Sequence, residues 1–148
     1  MPRIERTVSV DWEGSSARGG GHIAGDSGAF SALPFSEPSR VGDPDGQTSP
    51  EELLAAAHGG CITMSLATEL TRDRTPPERL GARVTVVMDE VGGSHEIVAS
   101  TVTLTARAAT DLDRFTAAVE RADEGCPFSR LLKRAGVDVT VNAELEGE

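Results

Sequence analysis

The chain has 148 residues, a formal charge of −10, 38% hydrophobic and 3% aromatic residues, and no tyrosine. That acidity, without any basic stripe, argues against partners held through phosphates, whether nucleic acid or an anionic membrane surface, and the scarcity of aromatics argues against base stacking. A small uncharged or mildly apolar substrate fits better.

The length predicts one domain over residues 1–148, large enough to bury roughly two-thirds of its unfolded surface. No apolar run approaches the roughly 20 residues of a membrane helix. The start Met1-Pro2-Arg3-Ile4-Glu5 lacks the apolar block of a secretory signal. Two cysteines in such a chain point to a reducing, cytoplasmic compartment, where a disulfide is transient or catalytic rather than structural.

In chain order, Ile4, Val8, Val10 and Trp12 alternate with polar residues and predict a strand over 4–12. After a glycine-rich turn, short strands are expected around 21–25 and 29–34, with Asp26-Ser27-Gly28 between them. Residues 34–48, rich in proline and glycine, read as an exposed loop. Ser49-Pro50-Glu51-Glu52 is a helix start with serine at the N-cap, proline at N1 and Glu52 at N3. The helix should run to about Arg72, before Thr75-Pro76-Pro77, and is apolar on nearly every face from Leu53 to Leu66, the pattern of a helix buried on all sides.

Two alternating strands follow, one through Val84, Val86 and Met88 and one from Val98 to Ala106, joined at Gly92-Gly93-Ser94. Thr110 or Asp111 caps an amphipathic helix on Leu112, Phe115, Val119 and Ala122. Pro127 opens a short helix that Gly136 ends, and Val137 to Leu145 form a last strand. The order βββ-α-ββ-αα-β, in antiparallel hairpin runs with no βαβ repeat, is α+β.

The only two cysteines are Cys61, inside the long helix, and Cys126, at the start of a short one. Two thiols with no third make thiol redox chemistry the leading hypothesis. A free cysteine in an apolar helix is commonly a small core residue. Against that, Gly59 and Gly60 sit mid-helix just before Cys61 at a cost of roughly 1 kcal/mol each relative to alanine, tolerable where another backbone or a substrate approaches. Cys126 precedes Pro127 and so takes the N-cap, where helix N–H groups favour thiolate, and its neighbours Glu124, Ser129 and Arg130 are not core-like.

Ser49-Pro50-Glu51-Glu52-Leu53 leading through Ala55-Ala56-Ala57-His58 to Cys61, with Cys126-Pro127 downstream, resembles the OsmC/Ohr family of osmotically inducible and organic-hydroperoxide-resistance peroxidases. Trp12-Glu13-Gly14, Arg18-Gly19 and Asp26-Ser27-Gly28 support the match, and His58 is similar to the OsmC branch. The resemblance implies an intertwined homodimer, with antiparallel sheets wrapped around two long central helices. It also implies reduction of organic hydroperoxides and hydrogen peroxide through a Cys61 sulfenate and a Cys61–Cys126 disulfide. An external dithiol or lipoyl-type reductant would regenerate the thiols, with no cofactor and no metal.

The resemblance further implies an arginine holding the Cys61 thiolate and a glutamate, Glu51, orienting it. Arg40 is preferred for the arginine from the match around Ser39-Arg40-Val41, with Arg18 as the alternative. Glu51 by itself is explained by the helix dipole. Ten positions from Cys61 on one helix, it lies about 15 Å away along the axis at 1.5 Å per residue. If it assists Cys61, it must come from a second subunit.

Two other classes compete. One is a sensing or small-ligand-binding protein of the same fold, whose thiols register oxidant without turnover. The other is a metal-binding protein using His58, Cys61 and Cys126. His58 lies at i−3 from Cys61, but no Cys-x-x-Cys completes four ligands, so a satisfied core histidine is the preferred reading.

Overall fold

The computed structural model of the chain describes residues 2–147, with elements in the order βββ-αα-ββ-αα-β. Two compact units result, Met1–Pro50 and Glu51–Glu148.

In the first unit, β1 (Val8–Glu13), β2 (Gly20–Gly25) and β3 (Leu33–Phe35) form an antiparallel sheet in that order. The first strand begins later than its alternation predicts, and the third is shorter. Trp12 packs against Phe35 with ring centroids 5.5 Å apart, and its Nε1 donates to the Gly14 carbonyl at 2.8 Å. Gly21, opposite Trp12, lies so close to the Asp11 carbonyl that a Cβ there would sit 2.1 Å from the oxygen; only glycine fits.

The expected loop over 34–48 contains a short helix, α1 (Glu37–Val41). Ser36 caps it by accepting the Ser39 N–H at 3.2 Å, and Pro38 stands in its first turn. The proline reads as a breaker in composition, but within a first turn its missing N–H costs nothing. Alternation also predicts one covered face for β1, yet all six residues are exposed, Val8 at 53% and Val10 at 59%.

The second unit holds α2 (Pro50–Arg72), β4 (Arg79–Val91), β5 (Ser94–Arg107), α3 (Leu112–Gly125), α4 (Pro127–Arg134) and β6 (Asp138–Leu145). A two-residue turn joins β4 to β5; both of its central residues, Gly92 and Gly93, have positive φ (58° and 87°), as a tight hairpin with right-handed strand twist requires. Asp111, not Thr110, caps α3, accepting the Arg114 N–H at 2.8 Å. The expectation of antiparallel strands throughout fails at β6, which runs parallel to β5 in the order β4-β5-β6. Parallel neighbours need a long crossover, and α3 with α4 supplies it.

One apolar cluster joins Ile62, Leu66 and Leu70 of α2, Val102, Leu104 and Ala106 of β5, and Phe115, Ala118, Val119 and Ala122 of α3. Arg121 of α3 fastens that helix to the end of α2, bonding Glu69 at 2.9 Å and Asp73 at 2.7 Å.

Within the chain α2 is not buried on all sides, as its composition predicts. His58, Ile62, Leu66 and Leu70, four apart, form the buried stripe. The opposite stripe of Ala56, Gly60, Met64 and Thr68 is exposed, Met64 at 68%, because one three-stranded sheet covers only one side of a helix. Contrary to the sequence reading, α2 is by length and composition able to cross a bilayer, with 23 residues and a mean hydropathy of 1.2 over its best window. The core helix of a globular protein meets the same measure, and the buried stripe of α2 packs in that manner.

Candidate thiol site

The site sits where α2 meets the start of α4. Pro127 has no N–H to lose and Cys126 takes the N-cap, so the first free donors of α4 are the N–H groups of Phe128 and Ser129. The Ser129 N–H donates to Cys126 Sγ at 3.5 Å, and the Phe128 N–H favours the thiolate of Cys61. Cys61 packs against the cluster that contains Cys126, and the Cys126 thiol bears on the protonation of Cys61. Both carry free thiols.

Their burial inverts the sequence expectation. Cys126, placed by its charged neighbours in non-core surroundings, is fully buried in the apolar cluster, whereas Cys61 is half-buried. The reason is local: in the turn between α3 and α4, Glu124 and Arg130 face solvent while Cys126 and Ser129 turn inward.

Burial pushes the Cys61 thiol above its usual value, and the neighbouring Cys126 thiol pushes it further; the Phe128 N–H and the Ser65 hydroxyl pull it back. Ser65 stands one turn on from Cys61 in α2. Among the described residues, neither mid-helix glycine meets the second backbone that the sequence led us to expect: a Cβ at Gly59 would lie 3.0 Å from the Val84 side chain at Cγ2, and Gly60 has nothing within 4 Å.

His58 is fully buried as a satisfied core histidine. Nδ1 lies 2.7 Å from Ser100 Oγ on β5, and Nε2 lies 2.8 Å from Ser129 Oγ on α4. Burial holds its pKa below the usual value, with Lys133 adding to that and Asp123 opposing it. Both ring nitrogens are taken, so neither is left for a metal, and the reading of His58, Cys61 and Cys126 as a metal site loses its histidine. Ser100 and Ser129 escaped the sequence reading. Ser100 stands in the inward row of β5 with Val102, Leu104 and Ala106, and a hydroxyl in an otherwise apolar row demands a buried partner.

Glu51 begins α2, which continues unbroken through Cys61, so the two stay about 15 Å apart along the axis. The arginines belong to the other unit. Arg40 lies in the last turn of α1, and Arg18 borders a groove of about 510 Å³ together with Glu13, His22, Phe35 and Gln47.

A half-buried thiol and a buried one, gathered at one helix terminus in an α+β fold, define a paired-thiol protein. The chain belongs to the OsmC-like protein family, whose family model matches residues 42–142. Peroxiredoxin OsmC of Escherichia coli K12 is 29% identical over 146 residues, 97% of this chain and 98% of its own length. The organic hydroperoxide resistance protein OhrB of Bacillus subtilis is 27% identical, with a TM-score of 0.66 over 93% of this chain and 98% of its own. An organic hydroperoxide resistance protein OsmC from Legionella pneumophila, 22% identical, shares the fold with a TM-score of 0.72 over 96% of this chain and 99% of its own.

Proposed function

We propose that the protein is a thiol-dependent peroxidase that reduces organic hydroperoxides and hydrogen peroxide. The observation that carries the reading is the packing of Cys61 against the cluster that holds Cys126, whose sulfur accepts the Ser129 N–H at the N-terminus of α4. The names borne by the relatives, peroxiredoxin and organic hydroperoxide resistance protein, point the same way.

The half-buried thiol is the one peroxide can reach. The Cys61 thiolate attacks the distal peroxide oxygen, the O–O bond breaks, and with one proton the leaving oxygen departs as alcohol or water; the sulfur becomes a sulfenic acid. The Cys126 thiol displaces hydroxide from that sulfur, which leaves as water with the thiol proton, and a disulfide forms. An external dithiol, of which a lipoyl group is one kind, reduces it by exchange; no cofactor enters.

Burial works against the first step by disfavouring the Cys61 thiolate. The Phe128 N–H and Ser65 oppose that, and we assign the remaining stabilisation to an arginine, Arg40 in preference to Arg18. Glu51 cannot reach the Cys61 of its own helix, so in this reading it orients the arginine at the site of a second copy. A homodimer also explains the exposed apolar residues Val8, Val10 and Met64. Such a dimer is obligate and buries well over the roughly 1,600 Å² of a standard interface; a folded 15.5 kDa monomer at sedimentation equilibrium would overturn it.

Turnover with excess dithiothreitol tests the enzyme. Wild type should consume many equivalents of peroxide per subunit and Cys61→Ser none above background; treated with peroxide without added dithiol, Cys126→Ser should undergo one oxidation before Cys61 passes to sulfinic acid, read by mass spectrometry. Consumption stopping at one equivalent in wild type would mark a sensor, and sulfinic acid forming on Cys126 instead of Cys61 would reverse the roles. For Glu51, mixed dimers of Cys61→Ser and Glu51→Ala chains hold one site with both groups intact, so activity should recover to about half of wild type, assuming independent sites. No recovery after proven chain exchange would place the action of Glu51 elsewhere.

A further inference from the structure

His58 is a buried titratable side chain that the chemistry above does not use. It stands on α2 one turn before Cys61 and reaches two other elements: β5 through Ser100 at 2.7 Å and α4 through Ser129 at 2.8 Å. Ser129 is more than a partner of the ring. Its backbone N–H is the one that donates to Cys126 Sγ, and the neighbouring Phe128 N–H favours the Cys61 thiolate. One residue therefore ties the helix carrying the half-buried thiol to the helix terminus that gathers both sulfurs.

The hydrogen-bond inventory makes this a specific joint. A neutral imidazole has one donor and one acceptor nitrogen, and each serine hydroxyl can take either role. Whichever tautomer is present, one serine donates to the ring and the other accepts from it, so both ring nitrogens are satisfied without a charge. A protonated ring would need to donate at both nitrogens inside an apolar cluster, and burial opposes it. The joint is thus neutral and closed.

We propose that His58 is a positioning residue for the resolving step: held to β5 through Ser100, it fixes the N-terminus of α4 through Ser129 and keeps Cys126 in register with the Cys61 sulfur. The inference rests on reading the two thiols as a redox pair, though it does not require that the oxidant be a peroxide. Condensation needs the two sulfurs to close to bonding distance. The first turn of α4 is seated by the packing of Cys126 and Phe128 on the apolar cluster and by the Cys126 N–H bond to the Asp123 carbonyl at 3.3 Å, and the His58–Ser129 bond ties that turn to α2. The Lys133–Asp123 ion pair, at 2.6 Å, bonds the last turn of α4 to α3.

The test measures how readily the pair closes, apart from peroxide chemistry. Reduced protein is equilibrated across glutathione redox buffers, in which two thiols and one oxidised glutathione yield one disulfide and two reduced glutathiones. The fraction closed gives the effective concentration of one thiol at the other. Ser129→Ala and His58→Leu should each lower it about tenfold or more, the order expected on losing a buried hydrogen bond, with His58→Gln recovering part of the loss. In peroxide turnover the same variants should form more Cys61 sulfinic acid per cycle.

Thermal melts serve as the control, because a merely structural histidine would lower the melting temperature and leave the effective concentration unchanged. If His58→Leu fails to fold, Ser129→Ala decides alone. A folded Ser129→Ala protein with an effective concentration within about twofold of wild type overturns the proposal, as does a wild type that forms no Cys61–Cys126 disulfide. A wild type that closes in glutathione but turns over no peroxide defeats the peroxidase reading and leaves the positioning role standing.

Discussion

The two units of this chain bury their apolar residues very differently. In Glu51–Glu148 most residues whose spacing marks them as core are core: Phe115, Val119 and Ala122 of α3 and Val102, Leu104 and Ala106 of β5 share one cluster, with Leu112 left 53% exposed at the start of α3. In Met1–Pro50 the spacing is equally clear and the burial is absent, since Val8 and Val10 are more than half exposed and Ile23 is the one buried hydrophobic among the described residues. An alternating strand with both faces open carries a pattern for a surface that a single chain does not cover. On the proposed dimer, the contrast teaches that binary pattern reports burial in the assembled state. It supports the proposed dimer more directly than composition does.

Substitutions can break that contrast. Phe115→Ala removes the largest fully buried side chain and should cost about 3–5 kcal/mol in urea unfolding. Val10→Asp, at a 59% exposed position, should change a lone chain by no more than about 0.5 kcal/mol. In a dimer that covers β1 it buries an unpaired charge, at roughly 3 kcal/mol or about a hundredfold in dissociation constant, read by sedimentation at graded concentrations. A Val10→Asp protein indistinguishable from wild type at every concentration would leave the first unit genuinely open.

Acid should act through the second unit. Burial keeps His58 neutral when folded, with a pKa below the 6.5 of an ordinary histidine. Between those two values the unfolded chain binds a proton that the folded chain does not. Stability should therefore be fully present above about pH 6.5 and fall as pH drops through that window, by at most about 1.4 kcal/mol per pH unit for one proton. In His58→Gln this part of the slope should vanish, leaving the carboxylates' contribution at lower pH; an unchanged slope would mean the ring is protonated as easily folded as unfolded.

Much of this architecture was legible because it rests on local chemistry. Pro50 and Pro127 open helices, Asp111 caps one, and Gly92-Gly93 turns the hairpin, each by a preference the residue carries with it. The features that escaped depend on what the chain meets. Alternation gives β6 an inner face but no neighbour, so its parallel pairing to β5 was invisible. Charged neighbours disguised Cys126 because a turn can bury every third residue of a polar segment. Of the site, the two cysteines were legible as a candidate pair because the chain has only two, both on helices; the Ser100–His58–Ser129 link was not, since it joins residues far apart in sequence through side chains that read as ordinary polar positions.

The smallest expected effect separates adjacent residues on opposite sides of one helix. Gly59 faces β4, and a methyl there would press to 3.0 Å on Val84 Cγ2, part of a β-branched side chain with little rotamer freedom. Gly60 faces outward into the stripe with Ala56 and Met64, and a methyl there meets nothing within 4 Å. Both substitutions gain roughly 1 kcal/mol of helix propensity. For Gly60→Ala nothing in the chain opposes the gain, so stability should rise by up to about 1 kcal/mol, whereas contact with Val84 should consume most or all of it for Gly59→Ala. Urea unfolding of the two variants side by side measures the difference. The reverse order, with Gly60→Ala the more damaging, would mean that the face open in one chain is closed by another at a distance too short for a methyl group, and would locate the covering surface on α2 as well as on β1.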